Sequence, residues 1–114
     1  RKEKRMRFTY TFDQLRETDD NIYRRFMDYD YTVDRFGSVD QSRYFTADYG
    51  TVEAASEIAA CEKLFTMYNT GEVRGYTGRG MSVSDIVNLW DYNTEPSVKT
   101  VWFCDKIGFI RLED

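Results

Sequence analysis

Glycines and polar side chains crowd residues 75–85, where the residue types could support phosphate or nucleotide chemistry. Glycine lets a backbone wrap closely around an anion, and an arginine, serines and an aspartate could bind that anion or transfer protons. The residues concerned are Gly75, Gly78, Arg79, Gly80, Ser82, Ser84 and Asp85. One function that the sequence allows is therefore a small enzyme that handles phosphate or nucleotides at this glycine-rich stretch.

The spacing in this stretch fits neither of two common phosphate-binding motifs. A P-loop needs Gly-Lys-Ser or Gly-Lys-Thr after four intervening residues, and residues 75–85 contain no lysine. A dinucleotide fingerprint follows directly on a strand, whereas a predicted helix and a polar linker precede this stretch. We therefore predict a tight turn, in which Ser82 and Asp85 satisfy each other's backbone amides as a capping box at the start of a single helical turn.

The chain contains no histidine, which excludes several kinds of catalytic site. A Ser-His-Asp triad, a Cys-His pair and a zinc site with histidine ligands are all ruled out. Nothing else in the glycine-rich stretch supplies a general base near neutral pH. We predict a non-enzymatic protein with no catalytic residues, no cofactor and no metal.

Two cysteines, Cys61 and Cys104, occur in a chain with no secretory signal and no long apolar run. One such pair, in a chain of which 17% is aromatic, is typical of reduced core thiols rather than of a disulfide framework. The sequence therefore predicts a cytoplasmic protein that does not contact a membrane.

Charge is distributed unevenly along the 114 residues, whose net charge is −4. Residues 1–7 contain five positive side chains and one negative, so residues 8–114 sum to −8. We predict a basic N-terminal tail at 1–7 and a single domain at 8–114. The acidic domain makes direct binding of nucleic acid unfavourable, but the basic arm from Arg1 to Arg7 leaves a DNA-binding accessory protein open as an alternative function.

The first part of the domain shows two periodicities. Residues 7–12 alternate polar with aromatic side chains, which predicts a half-buried strand with Phe8, Tyr10 and Phe12 on one face. Residues 18–28 predict a helix that begins at polar acceptor side chains and buries an apolar stripe. The stripe consists of Ile22, Tyr23, Phe26 and Met27.

Acidic residues alternate with aromatic or β-branched residues between positions 28 and 37, which predicts a solvated edge strand. The same alternation could imitate the charges and stacked bases of a nucleic acid, as a decoy for a nucleic-acid-binding protein would. A hard cation could also bind Asp28, Asp30 and Asp34. The glycine and the closing glutamate of a calcium loop are missing at the required offsets, so we predict no metal site here.

The rest of the chain predicts a strand at 42–49, a helix from Thr51 to Asn69, and three C-terminal strands near 86–91, 98–104 and 109–112. The apolar positions of the helix are Ala55, Ile58, Cys61, Phe65 and Tyr68. The predicted fold class is α+β: a small antiparallel sheet with two helices packed on it, which ends in a β-hairpin plus a final strand.

Two segments resemble the motifs of the YodL-like domain of Firmicutes chromosomes, plasmids, conjugative elements and phages. They are residues 78–87, Gly-Arg-Gly-Met-Ser-Val-Ser-Asp-Ile-Val, and residues 103–109, Phe-Cys-Asp-Lys-Ile-Gly-Phe; residues 64–69 are similar to a third landmark. Gly80 stands where the family usually has serine. The motif residues are Gly78, Arg79, Gly80, Ser82, Ser84, Asp85, Asp105, Gly108 and Phe109. The resemblance implies a fold and a mobile-element setting, but no reaction and no cofactor.

These observations together predict a non-enzymatic protein-binding module of a mobile genetic element, such as a phage or plasmid accessory protein. It would bind a host protein and inhibit or modulate it, for example a nucleic-acid-binding defence effector such as a CRISPR or restriction nuclease. The predicted contact surface is acidic and rich in tyrosine, and the protein is a monomer or a homodimer. Its residues are Asp28, Tyr29, Asp30, Tyr31, Asp34, Tyr44, Asp48 and Tyr49.

Overall fold

A computed structural model describes residues 5–113 of the chain. Five strands and two α-helices follow one another, with short 3-10 turns at Asp19–Asn21 and Gln41–Arg43. The elements are β1 (Met6–Leu15), α1 (Tyr29–Phe36), β2 (Tyr44–Ala54), α2 (Glu57–Asn69), β3 (Ile86–Asp91), β4 (Val98–Cys104) and β5 (Phe109–Leu112). Strand β1 begins inside the segment predicted as a basic tail, and residues 1–4 of that tail and of the predicted DNA-binding arm lie outside the described residues.

The strands form a single antiparallel sheet in the order β2-β1-β3-β4-β5. The long strand β1 pairs with β2 on one side and with β3 on the other, so it ties the two halves of the chain together. Strands β3 and β4 form the C-terminal hairpin, and β5 adds the final strand at the far edge. The α+β class with a C-terminal hairpin and a last strand is confirmed.

The larger core lies between the sheet and α2. Alternate residues of β1 point into it, and Phe8 and Phe12 are completely buried there, as their period-two spacing predicts. The Tyr10 and Tyr68 hydroxyls lie 2.7 Å apart across this core. The hydroxyl of Tyr68 also donates to Asp48 Oδ2 at 2.7 Å, so these buried polar atoms are satisfied.

A smaller core on the opposite face of the sheet positions α1. It consists of Ile86, Val101 and Phe103, and Tyr29 packs against it with its ring 5.8 Å from that of Phe103. Val39 and Tyr44 complete the cover. Only part of this face is covered, because α1 has eight residues.

The helix predicted at 18–28 is wrong, and so is the edge strand predicted at 28–37. After the 3-10 turn the chain runs through successive turns to Phe26, which adopts a left-handed backbone (φ 67°) that ends any helical path. The α-helix lies instead at Tyr29–Phe36 and begins where Asp28 Oδ1 accepts the N–H of Tyr31 at 2.8 Å. The acid-aromatic alternation also places apolar residues three and four positions apart, which suits a helix that buries one side.

The second predicted helix is confirmed in type but not in its start. Strand β2 continues past Thr51 to Ala54, and α2 begins only at Glu57, capped by Ser56, whose hydroxyl accepts the N–H of Ala59. The predicted apolar stripe is rotated as well, since Ile58 and Phe65 are about two fifths exposed. The buried face is formed by Ala60, Cys61, Leu64 and Tyr68.

Both cysteines are free thiols in the core, as predicted. Burial raises the pKa of Cys104 to about 12, and it also raises the pKa of Cys61. A thiol that stays protonated at neutral pH is a poor nucleophile and a poor metal ligand. Cys61, on the buried face of α2, and Cys104, on β4, therefore act as small apolar residues of the larger core.

Replacing Asp28 with alanine should test the position of α1. The variant loses the side chain that accepts the Tyr31 amide, so we expect the midpoint of thermal unfolding to fall by about 5 °C. Asp30→Ala is the matched control, because Asp30 is exposed in the first turn and caps nothing. Circular dichroism melts check both variants; an equal change for the two would contradict the cap.

Candidate functional site

The glycine-rich motif encloses a completely buried carboxylate, that of Asp85. Its oxygens accept the N–H of Ser82 at 2.8 Å and Nη2 of Arg79 at 2.9 Å, with Nε2 of Gln14 farther away at 3.4 Å. Burial raises the pKa of Asp85, while the Arg79 guanidinium and the Ser82 amide act to lower it. Both oxygens of the Asp85 carboxylate thus accept hydrogen bonds from within the fold.

The predicted pairing of Ser82 with Asp85 is present only in part. Asp85 accepts the Ser82 amide, and the Asp85 N–H returns to the backbone oxygen of Ser82 at 3.1 Å. No helical turn follows, because β3 begins at the next residue. The correction has a physical reason: the Asp85 backbone oxygen accepts the N–H of Cys104, which commits the chain to the sheet.

Ser84 uses all of its polar atoms in contacts with other segments. Its N–H donates to the backbone oxygen of Cys104 at 2.9 Å, and its own backbone oxygen accepts the Tyr44 hydroxyl at 2.7 Å. Its hydroxyl oxygen accepts the N–H of Phe26 at 3.0 Å. Ser84 is 2% exposed and adopts a left-handed backbone (φ 82°). Ser84 therefore joins three other segments of the chain, those of Phe26, Tyr44 and Cys104.

The second motif holds the same neighbouring segment. Asp105 Oδ1 accepts the N–H of Tyr29 at 3.0 Å, and the Asp105 N–H closes its own turn onto the oxygen of Gly108 at 3.0 Å. Gly108 has φ 71°, a conformation that favours glycine. The following Phe109 pairs with Cys104 and packs against the main core. The two motifs therefore fix the backbone at Phe26 and at Tyr29.

We call residues 22–27 the clamped loop, since motif residues hold its end while three of its large side chains face solvent. Ile22 and Tyr23 are each 61% exposed, and Phe26 is 47% exposed. The Arg79 guanidinium, which binds Asp85 on one side, lies 4.8 Å from the centre of the Phe26 ring on the other. The predicted buried stripe of this segment is therefore wrong: three of its large apolar residues lie at the surface.

Arginines stack on the aromatic rings of this region. The Arg25 guanidinium lies 4.9 Å from the ring centre of Phe26, and Arg35 lies 5.3 Å from that of Tyr23. Arg24 stacks on Phe36 at 3.8 Å. We call the resulting patch the arginine-aromatic surface. Its residues are Ile22, Tyr23, Arg24, Arg25, Phe26 and Arg35. The density of arginine and aromatic residues was visible in the sequence, but the left-handed turn that exposes them was not.

Gly80 is required by a close approach to α2. A Cβ at this position would lie 2.3 Å from Oδ1 of Asn69, whose Nδ2 donates to the Met81 backbone oxygen at 2.9 Å. A side chain at position 80 would therefore have to displace the Asn69 amide, which also donates to the backbone oxygen of Phe65. The other loop glycines serve different needs: Gly78 is crowded by the ring of Tyr76 in the same loop, and Gly75 has open space around it but a positive φ of 83°.

Four of the predicted partner-binding residues make contacts inside the fold. Asp28 caps α1 and pairs with Lys106 at 3.4 Å, and the backbone hydrogen bond lowers the pKa of Asp28. Tyr29 packs on Phe103. The remaining two are Tyr44, bonded to Ser84, and Asp48, bonded to Tyr68.

The other four predicted residues face solvent in whole or in part, on two different elements. Asp30, Tyr31 and Asp34 lie on the outer side of α1, whereas Tyr49, 75% exposed, lies on β2. The structure therefore divides the predicted acidic, tyrosine-rich surface. Whether any of these residues binds a partner stays a prediction.

A cleft of about 500 Å³ borders the glycine-rich loop. Residues 74–79 form one wall, and the ends of β1 and β2 contribute Gln14 and Asp48. Arg79 of the motif lines this cleft, but Ser84 and Asp85 do not, so the three polar side chains do not converge on it. Within residues 5–113, no group of three or more acidic or cysteine side chains is arranged to hold a metal ion. None of the helices described has the length and hydropathy needed to cross a membrane.

Comparison with known proteins identifies one family. The family model described as YodL-like domain matches residues 9–114, which is nearly the whole chain. No curated protein and no solved structure matches the chain. The match confirms the resemblance that residues 78–87 and 103–109 indicate, and it assigns no reaction to them.

Replacing Arg79 with methionine should destabilise the fold in a pH-dependent way. Without the guanidinium the pKa of buried Asp85 rises further, so stability is lost as the pH rises above the ordinary aspartate value of 3.8. We expect a small loss of unfolding free energy near pH 4 that grows to about 3 kcal/mol at pH 7.

Urea denaturation at several pH values measures this loss. Arg74→Met is the matched control, because Arg74 is exposed and forms no ion pair among the residues described. A loss for Arg79→Met that stays constant between pH 4 and pH 7 would show that the ion pair with Asp85 is not what the motif depends on.

Proposed function

This chain belongs to the YodL-like domain family, and we propose that it is a non-enzymatic protein-binding module that docks through the arginine-aromatic surface. The partner in this proposal is a host protein that the module inhibits or modulates, as expected for an accessory protein of a mobile element. A nucleic-acid-binding defence effector is the kind of host protein that such a setting favours. The docking surface proposed here replaces most of the acidic surface suggested by the sequence.

The observation that carries the proposal is the clamped loop. Leaving a large apolar side chain in water rather than burying it forgoes about 1.5–3 kcal/mol, and Ile22, Tyr23 and Phe26 are all in this position. A left-handed phenylalanine adds strain of about 1–3 kcal/mol. A backbone that is held firmly while its apolar side chains point outward is the arrangement of a preformed binding site.

The residue types also favour a protein partner. Tyrosine and arginine are enriched among the residues that dominate interface energies. Guanidinium groups already stacked on rings lose less freedom on binding than free ones do, and they keep their edges available for hydrogen bonds. Asp30 and Asp34 lie on the same side of the molecule as Arg35, on the exposed face of α1, and would help orient the partner.

Two findings make the enzymatic alternative less favourable. The Ser84 hydroxyl oxygen accepts the Phe26 amide, and the Asp85 carboxylate accepts the Ser82 amide and the Arg79 guanidinium. The neighbouring cleft does not include either residue. The absence of a general base near neutral pH, argued from the sequence, points the same way.

A capture experiment with paired variants tests the proposal. The wild-type domain, Ile22→Ser/Tyr23→Ser and the control Tyr92→Ser/Ile107→Ser are immobilised and exposed to a host lysate, and the captured protein is then purified for titration. Tyr92 is as exposed as Tyr23 (62% against 61%), and Ile107 is more exposed than Ile22, but neither belongs to the arginine-aromatic surface.

We expect the wild type and the control to bind the same partner, and the loop variant to bind it more weakly by about 2 kcal/mol or more. Circular dichroism confirms that all three proteins are folded. Equal binding by all three would show that the arginine-aromatic surface is not the docking site, and the absence of any specific partner would overturn the proposed function.

A further inference from the structure

Two arginines of the arginine-aromatic surface, Arg24 and Arg35, lie against one ring, that of Phe36. The Arg24 guanidinium carbon is 3.8 Å from the ring centre, and that of Arg35 is 5.6 Å from it. The two guanidinium carbons are therefore separated by no more than the sum of these distances. Arg35 also lies 5.3 Å from the ring centre of Tyr23. The rings thus hold two positive charges close together although the charges repel each other.

No carboxylate in the described part of the chain neutralises these two charges. The ion pairs formed there include neither Arg24 nor Arg35. Asp20 and Asp40 act on the charge of Arg24 from nearby, but both are already paired with Arg43, at 3.3 Å. Arg24 is half-buried, and burial together with the like charge of Arg43 lowers its pKa. The surface therefore contains a partly buried cation that lacks a counter-charge.

The stacking of Arg24 and Arg35 leaves the edge of each guanidinium available. That edge carries N–H donors in a fork that matches the two oxygens of a carboxylate. Because the rings already hold the two groups in place, little side-chain freedom is lost when they bind. The pair is thus arranged to receive an anionic group.

The charges around the pair favour a short acidic protein segment over a nucleic acid. A nucleic acid carries a phosphate at every nucleotide and is bound along a continuous basic track. Asp30 and Asp34 lie on the same helix as Arg35 and would repel successive phosphates. An acidic segment can place its carboxylates at the two guanidiniums alone and an apolar side chain on the exposed Ile22 and Tyr23.

We infer that the arginine-aromatic surface binds an acidic segment of the host protein, in which aspartate or glutamate stands next to an apolar residue. The carboxylates accept hydrogen bonds from Arg24 and Arg35, and the apolar side chain packs on Ile22 and Tyr23. This partner chemistry rests on the proposed function, because it concerns the same docking site. It differs from the decoy suggested by the sequence, since a surface that binds nucleic acid is basic rather than acidic.

Titration with a defined peptide tests the inference without the host protein. The isotope-labelled domain is titrated to millimolar concentration with acetyl-Glu-Leu-Glu-Leu-Glu-amide, with the glutamine analogue of that peptide and, separately, with a single-stranded oligothymidylate. NMR follows the backbone amides of the clamped loop and the side-chain Nε–H groups of Arg24 and Arg35. The variants are Arg24→Gln/Arg35→Gln and the control Arg111→Gln, an exposed arginine on β5. Circular dichroism checks that both are folded, and the comparison of the two peptides needs only the wild type.

We expect the glutamate peptide to shift these signals in the wild type and to bind the control equally well. The double variant should bind it about fivefold or more weakly, and the glutamine peptide should bind the wild type more weakly by a similar factor. Equal binding of the two peptides, an unaffected double variant or the absence of any shift overturns the inference. Tighter binding of the oligothymidylate at the same signals also overturns it, because the surface would then be a nucleic-acid interface.

The failures of the two proposals are distinguishable. Capture of a host protein that Ile22→Ser/Tyr23→Ser weakens and Arg24→Gln/Arg35→Gln leaves unchanged overturns the acidic segment alone. A glutamate peptide that binds through Arg24 and Arg35, without capture of any specific host protein, overturns the proposed function alone.

Discussion

The hydrogen bond from the Phe26 amide to the Ser84 hydroxyl joins two left-handed residues, and the outer surface of the molecule depends on it. Neither residue is glycine, so each needs support from its surroundings. Ser84 receives it from Cys104 and Tyr44, and Phe26 receives it from Ser84 and from the Arg79 guanidinium. Buried Asp85 holds Arg79 in turn. The motif that identifies the family is thus a clamp, and what it holds in place is an exposed loop.

The strands could be predicted because their signal is local. Phe8, Tyr10 and Phe12 alternate with polar residues, and a single buried face explains that pattern. The positions of α1 and of the clamped loop could not be predicted in this way. The apolar residues at 22–27 have helical spacing, but tertiary contacts at both ends of the segment hold a different path. They are the hydrogen bond of Phe26 to Ser84 and those of the buried Asn21 side chain to the backbone of Arg16 and Arg43. Asp28 shows the opposite case. Its capping contact with Tyr31 is local, but the alternation of acidic and aromatic residues after it predicted a strand where the helix lies.

The candidate site was only partly visible in the sequence for a related reason. The prediction that the glycine-rich stretch forms a tight turn agrees with the contacts of Asp85 and Gly80. The acidic surface was predicted from residues that are close together in sequence. In the fold several of them make internal contacts instead, as in the hydrogen bond from the Tyr44 hydroxyl to the backbone oxygen of Ser84. No pattern in the sequence indicated that Arg35 belongs to the site. Its stacking on Tyr23 joins two segments, and the conformation predicted for each of them was wrong.

Amide hydrogen exchange at Phe26 measures the clamp most directly. The wild type is compared with Ser84→Ala, which removes the accepting hydroxyl, and with Ser82→Ala, whose contacts with Asp85 are made by the backbone of Ser82. We expect exchange at Phe26 and its neighbours in the clamped loop to accelerate by about tenfold or more in Ser84→Ala. Exchange in β1 and in Ser82→Ala should stay as in the wild type. Unchanged exchange at Phe26 in Ser84→Ala would contradict the account, because the loop would then be held by something other than the motif.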